Sequence, residues 1–227
     1  MALKAILFDL DGTLLDTAPD MVGTLNSLRL DDGLAPLPFA EVRAQVSHGS
    51  SRLIQIGFPG VDAGRFAVLQ RRFLEAYGAR LAAETRLFEG MDRVLIELSR
   101  RDLAAGIVTN KPARLTDALL EELGLRTRFV CVVSGDTLKE RKPHPLPMLH
   151  AARLANAVPD ECIYVGDAER DVQAAHAAGM RALVAVYGYL RADEDWPSWG
   201  GDGSIERPAD LLGWLDREPT PVSSGIR

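Results

Sequence analysis

The stretch Ala5-Ile-Leu-Phe-Asp-Leu-Asp-Gly-Thr13 joins a short apolar run to a turn that carries two carboxylates. Further apolar runs, each followed by turn residues, occupy residues 105–108, 130–133, 163–165 and 183–186. Uninterrupted apolar runs of this length are typical of strands that are covered on both faces, as in a parallel sheet. We therefore predict a parallel sheet in which residues 5–8 form the first strand.

Helical patterns lie between the predicted strands. Apolar residues recur at helical spacing in two segments, at Met91, Val94, Leu95 and Leu98 and again at Leu115, Leu119, Leu120 and Leu123. Gly124 comes directly after the second segment and acts as a helix stop. Strands and helices in alternation predict an α/β fold with right-handed crossovers.

The interval between residues 8 and 105 is far too long for one crossover helix. Thr17-Ala-Pro-Asp20 has the residue types of a capping box, which predicts a helix start. Helical patterns continue to about residue 83, with Pro or Gly breaks near residues 36–38 and 59–60. We predict a helical domain inserted over residues 17–85, a hinge at residues 87–90, a core domain over residues 1–16 and 86–216, and a flexible tail over residues 217–227.

The composition excludes several classes of protein. The chain has 227 residues, and 47% of them are hydrophobic, which is enough for a buried core. Its formal net charge of −6 lacks the basic excess that is typical of a nucleic-acid binder. No apolar run approaches the ~18 residues of a membrane span, and no secretory signal pattern opens the sequence. Because Cys131 and Cys162 lie in apolar runs, we expect buried free thiols in a cytoplasmic protein. We also expect a monomer by default, without nucleic-acid or membrane partners.

Two carboxylates, Asp9 and Asp11, follow the first predicted strand. Gly12 permits the chain to turn so that both face one site, although an Asp-Gly turn with solvated carboxylates has the same sequence. Thr109 and Asn110 follow the second predicted strand. A hydroxyl and backbone N–H groups there suit phosphate oxygens, or alternatively cap the next helix.

Two more polar clusters come later in the chain. Lys142 precedes Pro143, which favours an extended backbone, and its ammonium could neutralise a phosphate or face solvent. Gly166-Asp167-Ala-Glu-Arg-Asp171 places two carboxylates one helical turn apart, which suits Mg²⁺ or a capped helix start. Ligands of an open α/β sheet bind at the carboxyl ends of the strands, so we expect all these clusters to converge.

Taken in order, Asp9-x-Asp11-Gly-Thr13, Thr109, Lys142-Pro143 and Gly166-Asp167-x-x-x-Asp171 resemble the four motifs of the haloacid dehalogenase superfamily. The resemblance covers nearly the whole chain, including the insertion, which is similar to the helical cap of the phosphoglycolate-phosphatase-like group. It implies an α/β, Rossmann-like core with a parallel sheet, plus a helical cap domain inserted after the first strand. It also implies a Mg²⁺-dependent phosphatase that acts on a small phosphorylated metabolite.

The resemblance assigns catalytic roles to the motif residues. Asp9 would be the nucleophile that forms an aspartyl-phosphate, and Asp11 would be the general acid and then the general base. Mg²⁺ would be held by Asp9, the backbone carbonyl of Asp11, and Asp167. Because the dehalogenases lack the second aspartate, Asp11 favours phosphoryl transfer.

Supporting roles come from the same resemblance. The phosphoryl oxygens would be held by Thr109, Asn110 and Lys142, and Lys142 is also expected to be catalytic. Asp171 and Thr13 would support the site from just outside the ligand shell of the metal.

The predicted cap contains Val46-Ser-His-Gly-Ser-Ser-Arg52, where this group carries a Gly-containing substrate loop. The candidate substrate contacts are His48, Gly49, Ser50 and Arg52. Arg52 could read a substrate carboxylate. The alternative is a helix N-terminus within the cap that has no part in binding.

Residues 87–91, 108–112 and 187–200 resemble the proteobacterial N-acetylmuramic acid 6-phosphate phosphatases, a branch often labelled phosphoglycolate phosphatase. This resemblance implies dephosphorylation of that amino-sugar phosphate in peptidoglycan recycling, with 2-phosphoglycolate as the alternative substrate. The aromatic segment that contains Tyr187, Tyr189, Trp196 and Trp199 could stack on a sugar, but we favour packing of a C-terminal loop.

Other functions predict different sequence features. A phosphosugar mutase is an alternative because Gly49-Ser-Ser-Arg52 resembles a cap loop of such enzymes. A non-catalytic phospholigand-binding protein is the alternative from another class, and it predicts damage among Asp9, Asp11, Lys142, Asp167 and Asp171, which are all present. The absence of Gly-x-Gly-x-x-Gly after the first strand and of Gly-x-x-x-x-Gly-Lys-Ser/Thr disfavours dinucleotide oxidoreductases and P-loop enzymes.

Overall fold

The computed structural model describes residues 2–191 and 193–217. Within them the strands are β1 (Ala5–Phe8), β2 (Leu15–Asp16), β3 (Arg86–Leu87), β4 (Ala104–Val108), β5 (Cys131–Val133), β6 (Cys162–Gly166), β7 (Arg181–Ala185) and β8 (Gly203–Ile205). A parallel sheet of 6 strands has the order β5-β4-β1-β6-β7-β8. Each predicted apolar run overlaps a strand of this sheet, and β8 was not predicted.

Strand β1 lies at the centre of the sheet and is buried on both faces. Ala5 lies opposite Ala104 on one side and opposite Cys162 on the other. Alternate side chains of a strand point to opposite faces, so Ile6 and Phe8 join one apolar cluster while Leu7 joins the other. Full burial of such side chains stabilises the fold by roughly 1.5–3 kcal/mol each.

Helices flank the sheet and form the insertion. They are α1 (Ala18–Asp31), α2 (Phe39–Arg43), α3 (Gly49–Gly57), α4 (Ala63–Gly78), α5 (Met91–Arg100), α6 (Ala113–Glu122), α7 (Leu146–Leu154), α8 (Glu169–Ala177) and α9 (Asp210–Leu215). Helices α1–α4 pack on one another and are called the cap below. The predicted Pro and Gly breaks fall between α1 and α2 and between α3 and α4.

A short antiparallel ribbon carries the chain into the cap and back. Leu15 of β2 lies opposite Leu87 of β3, and Asp16 lies opposite Arg86. This ribbon is not a feature that the sequence patterns indicated, because each strand has only 2 residues. It brings together the two crossings between the core and the cap.

The predicted capping box at the start of α1 is wrong in its side-chain contacts. Helix α1 does follow Thr17, but the Thr17 side chain makes no cap hydrogen bond. Its hydroxyl donates instead to Oδ1 of Asp11 at 2.8 Å, a charge-assisted hydrogen bond. Asp20 turns inward and accepts hydrogen bonds from Thr85.

Cys131 and Cys162 are buried and free, as expected. Among residues 2–191 and 193–217, no helix is both long enough and apolar enough to cross a bilayer. The predicted tail lies outside the described residues, apart from Arg217.

Candidate active site

The carboxyl ends of β1, β4 and β6 lie side by side and form the floor of a cavity of about 520 Å³. The cap covers the cavity from the opposite side. Both parts of the chain line it, with Asp9, Asp11, Thr109, Lys111 and Lys142 from the core and Ser47, His48, Phe73 and Tyr77 from the cap. The polar clusters therefore meet at one edge of the sheet.

Asp9 follows β1 directly and is buried at the floor of the cavity. Its Oδ1 accepts a hydrogen bond from the backbone N–H of Leu10 at 2.7 Å and lies 2.9 Å from Nζ of Lys142. Both contacts fall on the same oxygen, and Oδ2 takes part in neither. A carboxylate that is held in this way can present its second oxygen to a ligand.

Lys142 is the buried cation beside Asp9. Its Nζ lies 2.8 Å from Oδ1 of Asp171 and donates a hydrogen bond to the hydroxyl of Tyr164 at 2.7 Å. The Tyr164 hydroxyl donates in turn to the carbonyl of Val108 at 2.8 Å. The three donors of the ammonium are thus matched by two carboxylates and a phenol, which fixes its position and compensates its charge.

Thr109 and Asn110 follow β4 beside the cavity. The Asn110 side chain accepts from the backbone N–H of Lys142 at 3.0 Å and donates to the Lys142 carbonyl at 2.9 Å. This amide therefore positions the Lys142 backbone, and the contact of Asn110 with phosphate stays a prediction. The buried Thr109 hydroxyl accepts from the N–H of Lys111 at 3.2 Å, and its contact with phosphate stays a prediction.

Asp167 follows β6 and accepts hydrogen bonds from three sides. The donors are the hydroxyl of Thr13 at 3.1 Å, the hydroxyl of the cap residue Ser47 at 2.6 Å, and the backbone N–H of Tyr189 at 3.0 Å. Gly12 makes room for it, because φ there is +85° and a Cβ atom would come within 2.2 Å of Oδ2 of Asp167. Thr13 thus lies next to this carboxylate, and its supporting role at a metal site stays a prediction.

One carboxylate oxygen from each of Asp9, Asp167 and Asp171 lies within 4.8 Å of the others. Burial, together with the charges of Asp9 and Asp171, raises the pKa of Asp167 to about 7. A divalent cation would relieve this repulsion, and three hard oxygen donors fit Mg²⁺. Both oxygens of Asp171 are engaged, Oδ1 with Lys142 and Oδ2 with the backbone N–H of Ala168. Asp9 keeps Oδ2 out of its contacts with Leu10 and Lys142, so Asp9 and Asp167 are the side chains that would hold the ion.

Asp11 lies at the cavity wall and is held by two partners. Its Oδ1 accepts from the hydroxyl of Thr17 at 2.8 Å and from Nζ of Lys111 at 2.9 Å, and Lys111 also lies 3.3 Å from Oδ2. The Lys111 ammonium donates in addition to the hydroxyl of the cap residue Tyr77 at 2.9 Å. The predicted acid–base residue is therefore ion-paired and linked to the cap.

Three of the four candidate substrate contacts in the cap line the cavity, namely His48, Gly49 and Ser50. Arg52 is the exception, and its contact with substrate stays a prediction. It is exposed, lies outside the described lining of the cavity, and donates through Nε to Oε1 of Gln45 at 2.8 Å.

Four lining residues were missed as functional candidates: Ser47, Tyr77, Lys111 and Arg170. Arg170 lies between the two carboxylates of its motif, donates to the carbonyl of Ser47 at 2.6 Å, and has a buried Nε without a hydrogen-bond partner among the described residues. Lys111, two residues after Thr109, carried a usable signal, since it shares the strand-end position. Tyr77 carried none, because an aromatic residue in an amphipathic helix is usually core.

The aromatic segment packs, as we favoured. The Tyr187 hydroxyl donates to the carbonyl of Thr13 at 2.9 Å, and the Tyr189 hydroxyl donates to Asp16 at 2.8 Å. Trp196 and Trp199 pack against the second apolar cluster. None of these aromatic residues is among the described residues that line the cavity.

A family model described as haloacid dehalogenase-like hydrolase matches residues 6–185. The chain belongs to this family. The match confirms the resemblance that the four motifs indicated, and the sheet with its flanking helices confirms the predicted α/β, Rossmann-like core.

Two curated relatives and one solved structure are similar over nearly the whole chain. A phosphoglycolate phosphatase of Xanthomonas campestris is 44% identical over 208 residues, with 92% of this chain and 94% of the relative covered. An N-acetylmuramic acid 6-phosphate phosphatase of Pseudomonas putida is 34% identical, with 95% and 97% covered. A crystal structure of a predicted phosphoglycolate phosphatase from Haemophilus somnus has a TM-score of 0.83 at 28% identity, with 93% and 97% covered. Phosphatase is the activity that these names share.

Proposed function

We propose that this hydrolase is a Mg²⁺-dependent phosphatase that removes phosphate from N-acetylmuramic acid 6-phosphate through an aspartyl-phosphate on Asp9. One arrangement carries the proposal: the fixed carboxylate of Asp9 lies beside Lys142 and Asp167 at the floor of a covered cavity. A nucleophile, a phosphate-neutralising cation and a set of metal ligands thus share one place. The same arrangement argues against a non-catalytic binding protein.

In the first step, the free oxygen of Asp9 attacks phosphorus, the ester bond breaks, and Asp11 gives a proton to the leaving oxygen. In the second step, Asp11 takes a proton from water, the water oxygen bonds to phosphorus, and the Asp9–phosphorus bond breaks. Lys142 compensates charge on the phosphoryl oxygens throughout. The cap excludes bulk water while the intermediate exists.

Bound Mg²⁺ would supply further compensation of the phosphoryl charge. Asp9 and Asp167 would hold it with their carboxylates, and the backbone carbonyl of Asp11 is the third protein ligand that the family resemblance implies. Thr13 would orient the Asp167 carboxylate through its 3.1 Å hydrogen bond.

The size of the cavity supports a sugar phosphate as the substrate. Its volume of about 520 Å³ lies within the range of roughly 300–1,000 Å³ that is usual for drug-sized ligands. A two-carbon acid such as phosphoglycolate would leave most of it to water. Phosphoglycolate is nevertheless the second candidate, because the 44% identical relative is named for that activity.

Phosphate release from the two substrates side by side, with saturating MgCl₂, tests the proposal. We expect a kcat/KM for N-acetylmuramic acid 6-phosphate at least tenfold above that for 2-phosphoglycolate. Asp9→Asn is the inactive control, with a fall of at least about 10³-fold, as for loss of a covalent nucleophile. The reverse preference would assign phosphoglycolate, and activity of Asp9→Asn equal to that of the wild type would overturn the mechanism.

The same assay separates the mutase alternative. A phosphatase releases inorganic phosphate in step with loss of substrate, whereas a mutase returns the phosphoryl group to the sugar and yields an isomeric sugar phosphate. We also propose that the protein works in the cytoplasm, which the two buried free thiols support.

A further inference from the structure

A continuous chain of polar contacts runs from the cap to the acid–base residue. Tyr77, on α4 of the cap, has its hydroxyl 2.9 Å from Nζ of Lys111, which follows β4 in the core. Nζ of Lys111 lies 2.9 Å from Oδ1 and 3.3 Å from Oδ2 of Asp11. The ammonium also lies 4.6 Å from the centre of the Tyr77 ring, within the range of a cation–π interaction.

Lys111 is not accounted for by the phosphate site or by folding alone. Its side chain is 4% exposed, and a buried ammonium is costly unless a carboxylate compensates it. The only carboxylate in salt-bridge contact with it among the described residues is Asp11. Lys142 already stands beside Asp9, so Lys111 serves a different carboxylate.

We propose that Lys111 is a positioning residue for Asp11, and that the hydrogen bond from Lys111 to Tyr77 makes this positioning depend on a closed cap. This inference rests on the phosphatase mechanism proposed above, but not on the choice of substrate.

Lys111 acts on the step in which Asp11 transfers its proton. When Asp11 passes its proton to the leaving oxygen, the oxygen–hydrogen bond of Asp11 breaks, and a negative charge remains on its carboxylate. The Lys111 ammonium keeps all three hydrogens and stabilises that charge as it develops. In the hydrolysis step the same contact keeps the Asp11 carboxylate aimed at the incoming water.

Tyr77 is the part of this chain that the cap supplies. If the cap moves away, the Lys111 ammonium loses the phenol as acceptor and the aromatic face that covers it. Water then solvates the ammonium, and the attraction between Lys111 and Asp11 weakens because the local dielectric constant rises. In an open enzyme, Asp11 would therefore be a poorer proton donor, and bulk water would reach the site.

Leaving-group dependence tests the proposal, with a series of aryl phosphates that runs from p-nitrophenyl to phenyl phosphate. A good leaving group needs no proton, whereas phenolate needs one, so only the poor leaving group depends on how well Asp11 is placed. General acid catalysis contributes about 10²–10⁴-fold. We expect Lys111→Met to lower kcat for phenyl phosphate by about tenfold to a hundredfold more than for p-nitrophenyl phosphate, with a small change in KM.

Two further variants separate the contribution of the Lys111 charge from that of the cap residue Tyr77. Lys111→Arg keeps the charge and should restore part of the loss on phenyl phosphate. Tyr77→Phe removes only the phenol oxygen and should steepen the leaving-group dependence by a smaller factor, about threefold to tenfold. Lys139→Met is the matched control, because Lys139 is exposed and outside the cavity, and its leaving-group dependence should equal that of the wild type.

Several outcomes would overturn the proposal. An equal loss on every aryl phosphate would mean that Lys111 binds phosphate or supports folding, and no loss would mean that it has no role. If Lys111→Met does not fold, as judged by circular dichroism, an unchanged slope in Tyr77→Phe and Lys111→Arg would still reject the proposal. If the wild type acts on its own substrate but on no aryl phosphate, the same comparison is made between that substrate and its analogue with sulfur at the bridging position, because a thiolate leaves without a proton. A wholly inactive wild type rejects the proposed function itself.

Discussion

Asp167 is the residue at which burial and charge oppose each other most directly. It accepts three hydrogen bonds, which favour its charged form, but burial and the nearby Asp9 and Asp171 raise its pKa to about 7. The metal-free carboxylate is therefore protonated below that pH. Because Mg²⁺ binds the carboxylate and not the acid, protons and metal compete for this site.

We predict that the affinity for Mg²⁺ falls as the pH is lowered through 7, by up to about tenfold per pH unit below it. Isothermal titration calorimetry with MgCl₂ between pH 5.5 and 8 measures this, and proton release should make the enthalpy depend on the buffer. Asp167→Asn should bind Mg²⁺ weakly at every pH. An affinity that does not change with pH in the wild type would contradict the prediction.

The same shift has a consequence for stability, with the sign opposite to that of an ordinary salt-bridged aspartate. The folded pKa is raised, so the folded state binds the proton more readily than the unfolded state does. Protonation of Asp167 therefore stabilises the metal-free protein at pH 5–6, and this stabilisation is lost as the pH rises through 7. We expect the melting temperature gained on adding Mg²⁺ to be larger at pH 8 than at pH 6, as measured by scanning calorimetry.

At the residue scale, the sequence was a good guide wherever a residue ends a strand. Asp9, Thr109 and Asp167 meet because parallel strands end at one edge, which the apolar runs already indicated. The contacts that the sequence did not reveal join residues that are far apart and on different elements. Ser47 and Asp167 are 120 positions apart, and Tyr77 and Lys111 are 34 apart, so only the packing of the cap brings them together.

At the scale of elements, Asp20 fastens the first helix of the cap to the returning chain. Its Oδ2 accepts from the backbone N–H groups of Glu84 and Thr85, at 2.9 and 2.8 Å, and from the hydroxyl of Thr85 at 2.9 Å. Its Oδ1 lies 3.3 Å from the guanidinium of Arg80. One fully buried carboxylate thus holds α1 beside the segment that leads into β3.

We predict that Asp20→Ala destabilises the protein by about 3–5 kcal/mol, because it leaves buried N–H groups and Arg80 without their acceptor. Thermal denaturation followed by circular dichroism measures this, and the melting temperature should fall by roughly 10 °C. Asp117→Ala is the matched control, since Asp117 is exposed on α6, and it should change stability by about 0.5 kcal/mol or less. Equal effects of the two substitutions would show that the contacts of Asp20 do not stabilise the protein.

Elements were predictable where they were long or apolar and not where tertiary contacts define them. Strands β1, β4, β6 and β7 come from apolar runs that need no partner to be recognised. The 2-residue strands β2 and β3 exist only because they pair with each other, and the 3-residue strand β8 contains just one buried apolar residue. The hydroxyl of Thr17 suited a helix cap equally well, and only the proximity of Asp11 decided its use.

At the scale of the whole molecule, polar contacts join the cap to the core beside an apolar cluster that the two share. Arg43 donates to the carbonyl of Gly188 at 3.0 Å and lies 4.8 Å from the ring centre of Tyr189. The Ser47 hydroxyl donates a hydrogen bond to Asp167, and the Arg170 guanidinium donates one to the carbonyl of Ser47. Polar contacts of this kind contribute only about 0.5–1.5 kcal/mol each, so they do not by themselves prevent opening at the ribbon of β2 and β3.

We therefore predict that the cap opens and closes about that ribbon, and that ligands at the site shift it towards closure. Hydrogen exchange measures the shift: amides of residues 43–48 should exchange more slowly with MgCl₂ and orthovanadate, a phosphate mimic, than without them. The amides of β1 should be equally protected in both states, because that strand is the buried centre of the sheet. The double variant Arg43→Ala, Ser47→Ala should exchange faster than the wild type in the segment without ligands and should bind orthovanadate more weakly. If ligands leave the exchange of residues 43–48 unchanged while they bind with full affinity, the cap is fixed in its closed position, and substrate must enter by another route.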